Sequence, residues 1–184
     1  MTEAERDDDA SRDRALIERW LGGDERAATE IVQRHAPALS RFAVQLGIRD
    51  QIGELVQDTF VRAFNALDGF RADSSLRTWL FTILRRLIID QRRATARRGV
   101  EVEVAEQDAS TEYDALDGLV AEEASSRISR AMKKLSPMQR AVFTLRVQEG
   151  RNYRDIAEVL GSSEGAARVH YHNAMRAIKE ALDD

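Results

Sequence analysis

Only two prolines, Pro37 and Pro137, interrupt this chain of 184 residues, and ten glycines are its other backbone breakers. Proline removes a backbone donor and clashes with the preceding turn, so a chain this poor in it has room for long helices. The apolar residues use that room. Ile52, Leu55, Val56, Thr59, Phe60, Ala63, Phe64 and Leu67 recur at helical spacing, which lines them along one face. A first helix carries Leu16, Ile17, Trp20 and Leu21 and stops at Gly22-Gly23. A second starts at an Asp24 cap, carries Ala28, Ile31, Val32, Leu39, Phe42 and Leu46, and meets a candidate break at Pro37. Asp50 is the expected cap of the third. A fourth starts near Asp73-Ser74 and carries Leu76, Trp79, Leu80, Ile83, Leu84, Leu87 and Ile88. The expected fold class is all-α.

Charge divides the chain. The net charge is −4, but Arg71 to Arg98 holds eight arginines against two aspartates. Residues 99–123 hold nine acids and no lysine or arginine, and 124–184 return to eleven basic against seven acidic residues. Two basic blocks around an acidic one suit nucleic-acid binding, where patches matter more than the total. The expected organisation is two small helical domains, 14–98 and 123–184, joined by an acidic flexible linker over 99–122. Residues 1–13 read as a disordered acidic tail. Val100 to Val104 alternates valine with acid, a pattern open to a brief strand but better suited to an extended linker.

The second domain has sharp helix signals. In Ser136-Pro137-Met138-Gln139, serine caps, proline takes the first helical position and glutamine closes a capping box. That helix is expected to reach Gly150. Asn152 caps the next, with Asp155 three residues on, and Gly161 ends it. The last runs from after Ser162-Ser163 to about Leu182. Two helices joined by a glycine turn make a helix-turn-helix. Ile156, Ala157 and Leu160 are expected to pack on Ala167, Tyr171, Ala174 and Ile178. The opposite face of the last helix offers Glu164, Arg168, His172, Asn173 and Arg176, a set that fits a major groove. A solvated outer face of an ordinary helical hairpin is the alternative. In the first domain, Arg85, Arg86, Arg92 and Arg93 suit phosphates, and Trp79 and Phe81 could stack on unpaired bases. For Trp79 a core position is the stronger reading. Glu54, Gln57, Asp58 and Arg62 edge the third helix, either as a contact surface or as a solvated face.

Several of these segments resemble extracytoplasmic-function sigma factors of the sigma-70 family. Asp50 to Phe60 looks like the polymerase-binding helix of region 2. Phe70 to Leu80 resembles the loop and helix that melt the −10 element. Leu135 to Arg140, Tyr153 to Ala157 and Ser163 to Gly165 resemble region 4, which binds the −35 element. The resemblance runs from about residue 12 to 182. It implies that Glu54, Gln57, Asp58 and Arg62 meet the clamp coiled coil of core RNA polymerase, and that region 4 meets the flap. It implies −10 contacts from Arg71, Ser74, Arg77, Arg85, Arg86, Arg92 and Arg93, and −35 contacts from Arg168, Val169, His172, Asn173 and Arg176. Arg86 stands where the family often has Asn, Val169 and His170 where Ser and Arg are common, and Ala167 where Val is usual. The resemblance also places the acidic linker in the polymerase cleft, and it implies an anti-sigma factor as a further partner.

Other classes fit less of the chain. A helix-turn-helix regulator without core polymerase accounts for the second domain and leaves the first idle. An enzyme lacks a nucleophile with a placed base, a phosphate loop and a metal-ligand cluster. The chain has no cysteine, and its three histidines are scattered, so neither a thiolate zinc site nor a cofactor is expected. No apolar run approaches the ~18 residues of a membrane span. The opening residues are too polar for a signal peptide, which makes the cytoplasm the expected location.

Overall fold

The computed structural model describes residues 3–70, 72–97, 127–128 and 130–183. Helices dominate, and no strand occurs among the described residues. In the first unit α1 spans Glu3–Leu21, α2 Glu25–Gln45, α3 Ile52–Ala66 and α4 Leu76–Arg97; α3 tightens into a 3-10 turn over Leu67–Gly69. Helical residues 130–134 precede the second unit. There α5 spans Pro137–Phe143 and widens into a π turn over Thr144–Gln148, followed by α6, Tyr153–Leu160, and α7, Glu164–Asp183. The stretch expected as an acidic linker, with its valine-acid alternation, lies outside the described residues, as do Arg71 and Arg98.

Local chemistry sets the helix ends. The Asp24 side chain accepts from the Arg26 amide, which caps α2. Ser136 and Gln139 close the reciprocal capping box of α5. Asn152 accepts from the Asp155 amide at the start of α6. Gly161, at φ 55 and ψ 43, ends α6 in the left-handed conformation that glycine adopts without penalty.

Some boundaries differ from expectation. The acidic opening is not a disordered tail over its described residues: 3–13 form the first half of α1. Asp9 and Asp13 hold it there by accepting from Arg34 of α2, and Asp8 pairs with Arg12 one turn on. Pro37 does not break α2. It sits on the exposed side of the helix. Gln51 rather than Asp50 takes the N-cap position of α3, in a left-handed conformation and with no side-chain cap hydrogen bond. α4 starts at Leu76, just past Asp73-Ser74, and the Ser75 Oγ accepts from the Thr78 amide at 3.1 Å. The helix from Pro137 runs to Gln148, close to Gly150 as expected, but its last stretch, Thr144–Gln148, is a π turn rather than α-helix.

The first unit packs on a continuous core. Leu39, Phe42, Leu80, Phe81 and Leu84 have no exposed surface. Burial of each such side chain stabilises by roughly 1.5–3 kcal/mol against exposure. Phe42 and Phe81 meet at 4.9 Å between ring centroids. Phe81 is therefore core and unavailable for base stacking. Trp79 packs against the same core and tilts on Phe70 at 5.0 Å.

The two units are not independent. The buried cluster of the first unit continues through Ala141, Val142, Leu145, Ile156, Val159, Leu160 and Ala167 of the second. α6 lies along α4, and α5 touches α2. The helix-turn-helix packing is split as a result. Ala167 joins the shared cluster, whereas Ala174 and Ile178 pack with Ala131 and Leu135 instead of with α6. The apolar face of α6 is shared: it meets α4 on one side and the start of α7, at Ala167 and Tyr171, on the other.

Candidate DNA and polymerase interfaces

Three surfaces carry the candidate residues. On α7, Arg168, His172 and Arg176 are exposed, Asn173 is half-buried, and Val169 stands 58% exposed. The inward positions Ala167, Ala174 and Ile178 fix this rotation of the helix, because their burial leaves the opposite face outward. The Arg168 guanidinium lies over the Tyr153 ring at 4.6 Å and reaches Glu164 at 3.5 Å. Arg146 covers the same ring at 4.9 Å. Tyr153 thus holds two cations at the mouth of the helix-turn-helix, an arrangement worth roughly 0.5–1 kcal/mol at an exposed site.

On α3, Glu54, Gln57, Asp58 and Arg62 all point outward, while Leu55, Val56, Thr59, Phe60 and Ala63 point into the core. Val61, 51% exposed, sits beside this polar edge. A mixed-charge rim around an exposed apolar residue is suited to a protein partner.

On α4 the arginines divide. Arg86 and Arg93 are exposed. Arg92 donates to the Leu46 carbonyl at the end of α2. Ser74, Arg77 and Arg85 turn toward the second unit. Ser74 lies 3.4 Å from Glu158. Arg77 Nη1 donates to Glu149 Oε2 at 3.1 Å, and Arg41 Nη2 donates to Glu149 Oε1 at 3.2 Å. Arg151 donates to Ser75 Oγ at 2.8 Å and to the Glu149 carbonyl at 2.8 Å. Burial pushes the Arg85 guanidinium below its ordinary value, and its head packs on Gly161, where a β-carbon would stand 3.1 Å from Nη1. Arg140, 9% exposed, is lowered by burial and then by the like charge of Arg49.

Behind Arg77 lies a buried relay. Its Nε donates to His35 Nδ1 at 3.3 Å, and His35 Nε2 meets Asp13 Oδ1 at 3.0 Å. Burial alone would raise the Asp13 carboxyl, but the His35 hydrogen bond and the adjacent Arg34 hold it below the usual carboxylate range. Arg41, His35, Asp13, Glu149 and Arg151 escape a motif reading. They are single polar residues in unremarkable contexts, and only the packing of the two units assembles them.

Comparison with known proteins agrees with this architecture. The family model described as sigma-70 region 2 matches residues 31–98, and that of sigma-70 region 4 matches 125–178. The chain is 28% identical over 180 residues to the ECF RNA polymerase sigma-E factor of Haemophilus influenzae, covering 92% of this chain and 95% of the relative. It is 34% identical over 131 residues to the RNA polymerase sigma factor YlaC of Bacillus subtilis, covering 70% and 76%. Among solved structures, the sigma factor RpoE in complex with the anti-sigma factor NepR from Bartonella quintana superposes with a TM-score of 0.63 at 29% identity, over 84% of this chain and 96% of that one. CnrH in complex with the cytosolic domain of CnrY gives 0.62 at 29% identity, over 94% and 97%. The chain belongs to the sigma-70 family and is a sigma factor of the extracytoplasmic-function type. No helix among the described residues is long and apolar enough to cross a membrane.

Proposed function

We propose that this sigma factor docks on core RNA polymerase through the Glu54, Gln57, Asp58 and Arg62 edge of α3, reads the −35 duplex with α7 and opens the −10 element with α4. It acts in the cytoplasm as a non-catalytic initiation factor. The observation that carries the reading is the outward face of α7. Arg168, Val169, His172, Asn173 and Arg176 share one side of a helix that follows a glycine turn, the geometry of a recognition helix in a major groove. Arg168 is the residue suited to guanine and Asn173 the one suited to adenine.

On α4 the exposed Arg86 and Arg93 meet the unpaired −10 strand, with Ser74, Arg77, Arg85 and Arg92 as further contacts; Arg71, outside the described residues, is assigned to the same role from the sequence alone. Holoenzyme reconstituted with the wild-type chain should protect and open a promoter located by transcript mapping. Holoenzyme carrying Arg86→Ala should show weaker permanganate reactivity at −10, partly restored on a pre-melted bubble. Wild-type reactivity in the variant would remove Arg86 from the site. RpoE, the sigma factor of Bartonella quintana, is solved in complex with the anti-sigma factor NepR, which supports a partner of the same kind for this chain.

A further inference from the structure

We propose that Arg41 and Arg77 form a phosphate-binding site of the first unit, which Glu149 fills while the two units are packed together. The site rests on the reading above that the α4 side of this unit meets promoter DNA.

The geometry at Glu149 is that of a charge stand-in. Each carboxylate oxygen takes one guanidinium, Oε1 from Arg41 at 3.2 Å and Oε2 from Arg77 at 3.1 Å. A phosphodiester offers two non-bridging oxygens in the same way, and arginine serves carboxylate and phosphate with the same donors. Glu149 is 3% exposed. A carboxylate so buried is tolerated only when paired and hydrogen-bonded.

The first unit builds the site without Glu149. Arg77 is held from behind by His35, 1% exposed, and His35 by Asp13, 6% exposed. Arginine Nε only donates, so His35 Nδ1 accepts and the ring proton sits on Nε2, facing Asp13. Asp13 belongs to α1, His35 to α2 and Arg77 to α4, so none of the three depends on the second unit. Arg41 approaches from α2 with 49% of its side chain exposed. If the units separate, the carboxylate leaves and two cations stay aimed at one point. Arg85, packed on Gly161, is uncovered by the same movement. Glu149 and a nucleic-acid phosphate therefore exclude each other, and the packed form should bind nucleic acid weakly.

The test uses the full chain, alone and in holoenzyme. Holoenzyme with Arg41→Gln should bind a mapped promoter fragment with a log–log salt slope shallower by about one unit. Arg41→Lys, which keeps the charge, should retain the wild-type slope. The free chain with Glu149→Gln should bind a mixed-sequence single strand of about 20 nucleotides roughly tenfold more tightly than wild type. Adding Arg41→Gln to Glu149→Gln should abolish that gain. A wild-type slope in Arg41→Gln holoenzyme, or a Glu149→Gln gain that survives the loss of Arg41, overturns the site. A wild-type holoenzyme that binds no promoter fragment overturns the parent reading and this one with it, an outcome distinct from normal binding with an unchanged slope.

Discussion

α7 and α4 both present arginines suited to DNA, yet the molecule treats them in opposite ways. The α7 face stands in solvent, with Arg168, His172 and Arg176 exposed. The α4 face is half hidden: Arg77 and Arg85 are covered by residues of the second unit, while Arg86 and Arg93 lie open beyond it. The contrast has a physical source. α6 is short and strongly one-sided, with Ile156, Ala157, Val159 and Leu160 all buried. Its apolar face needs a partner, and α4 supplies one. The polar contacts at Glu149, Arg151 and Glu158 then fix the register. A helix-turn-helix whose apolar face is shared with the neighbouring unit leaves the proposed −35 helix open while covering part of the proposed −10 surface.

The largest test strikes the shared cluster. Leu160 is 1% exposed and belongs to the second unit, but its cluster is that of α4. Leu160→Ala should destabilise by roughly 2–5 kcal/mol through lost burial and the cavity left behind. Both tryptophans, Trp20 and Trp79, lie in the first unit. Tryptophan fluorescence therefore follows that unit, and far-ultraviolet circular dichroism follows both. The substitution should lower both denaturation midpoints together. A tryptophan transition left at the wild-type midpoint would separate the units and break the contrast.

The α3 edge offers a control outside the junction. Exchanging charges by Asp58→Arg with Arg62→Asp should weaken binding to core polymerase by roughly 2–5 kcal/mol, as when partners of charged interface pairs are lost. Both side chains are exposed, so the melting temperature should hardly move. A double variant that competes for core like wild type would remove this edge from the interface. On the open reader, Arg168→Ala should cost about 1–3 kcal/mol at promoters with the preferred base and relax selectivity at one −35 position. Equal weakening on every sequence, with a shallower salt slope, would make Arg168 a phosphate contact instead.

Much of this was legible in the sequence. The helical stripes announced α2, α3, α4 and α7, and Ser136, Asn152 and Gly161 marked the boundaries of α5 and α6 because caps are local chemistry. The junction was not legible. Ala174 and Ile178 share the periodicity of Ala167, so spacing alone could not show that they face Ala131 and Leu135 rather than α6. Phe81 has the composition of a stacking residue and the environment of a core one. The acidic opening failed as a tail because its partners, Arg34 and His35, lie more than twenty residues away. Non-local pairing of this kind leaves no periodic signal.

The smallest effect tests that same pairing through pH. Asp13 anchors α1 to α2 and stands behind Arg77, so it supports the covered face from within the first unit. Its folded-state pKa is depressed, with the His35 hydrogen bond and Arg34 outweighing the cost of burial. In the unfolded chain the group titrates near the ordinary aspartate value, about 3.9. The folded state therefore binds the proton less readily. The stabilisation is complete above the unfolded value and is lost as pH falls through the window down to the lowered folded value. Asp13→Asn removes the charge and keeps the shape. At neutral pH it should destabilise by roughly 1 kcal/mol, the scale of a charge-assisted hydrogen bond whose neutral replacement still accepts from His35. As pH falls below the unfolded value the gap should shrink, and the two stability curves should converge once the lowered folded-state value is passed. Urea denaturation of both proteins from pH 7 down to pH 3 measures the gap. A gap that stays constant or widens toward low pH would mean that Asp13 acts through packing alone, leaving Arg77 without an ionised support behind it.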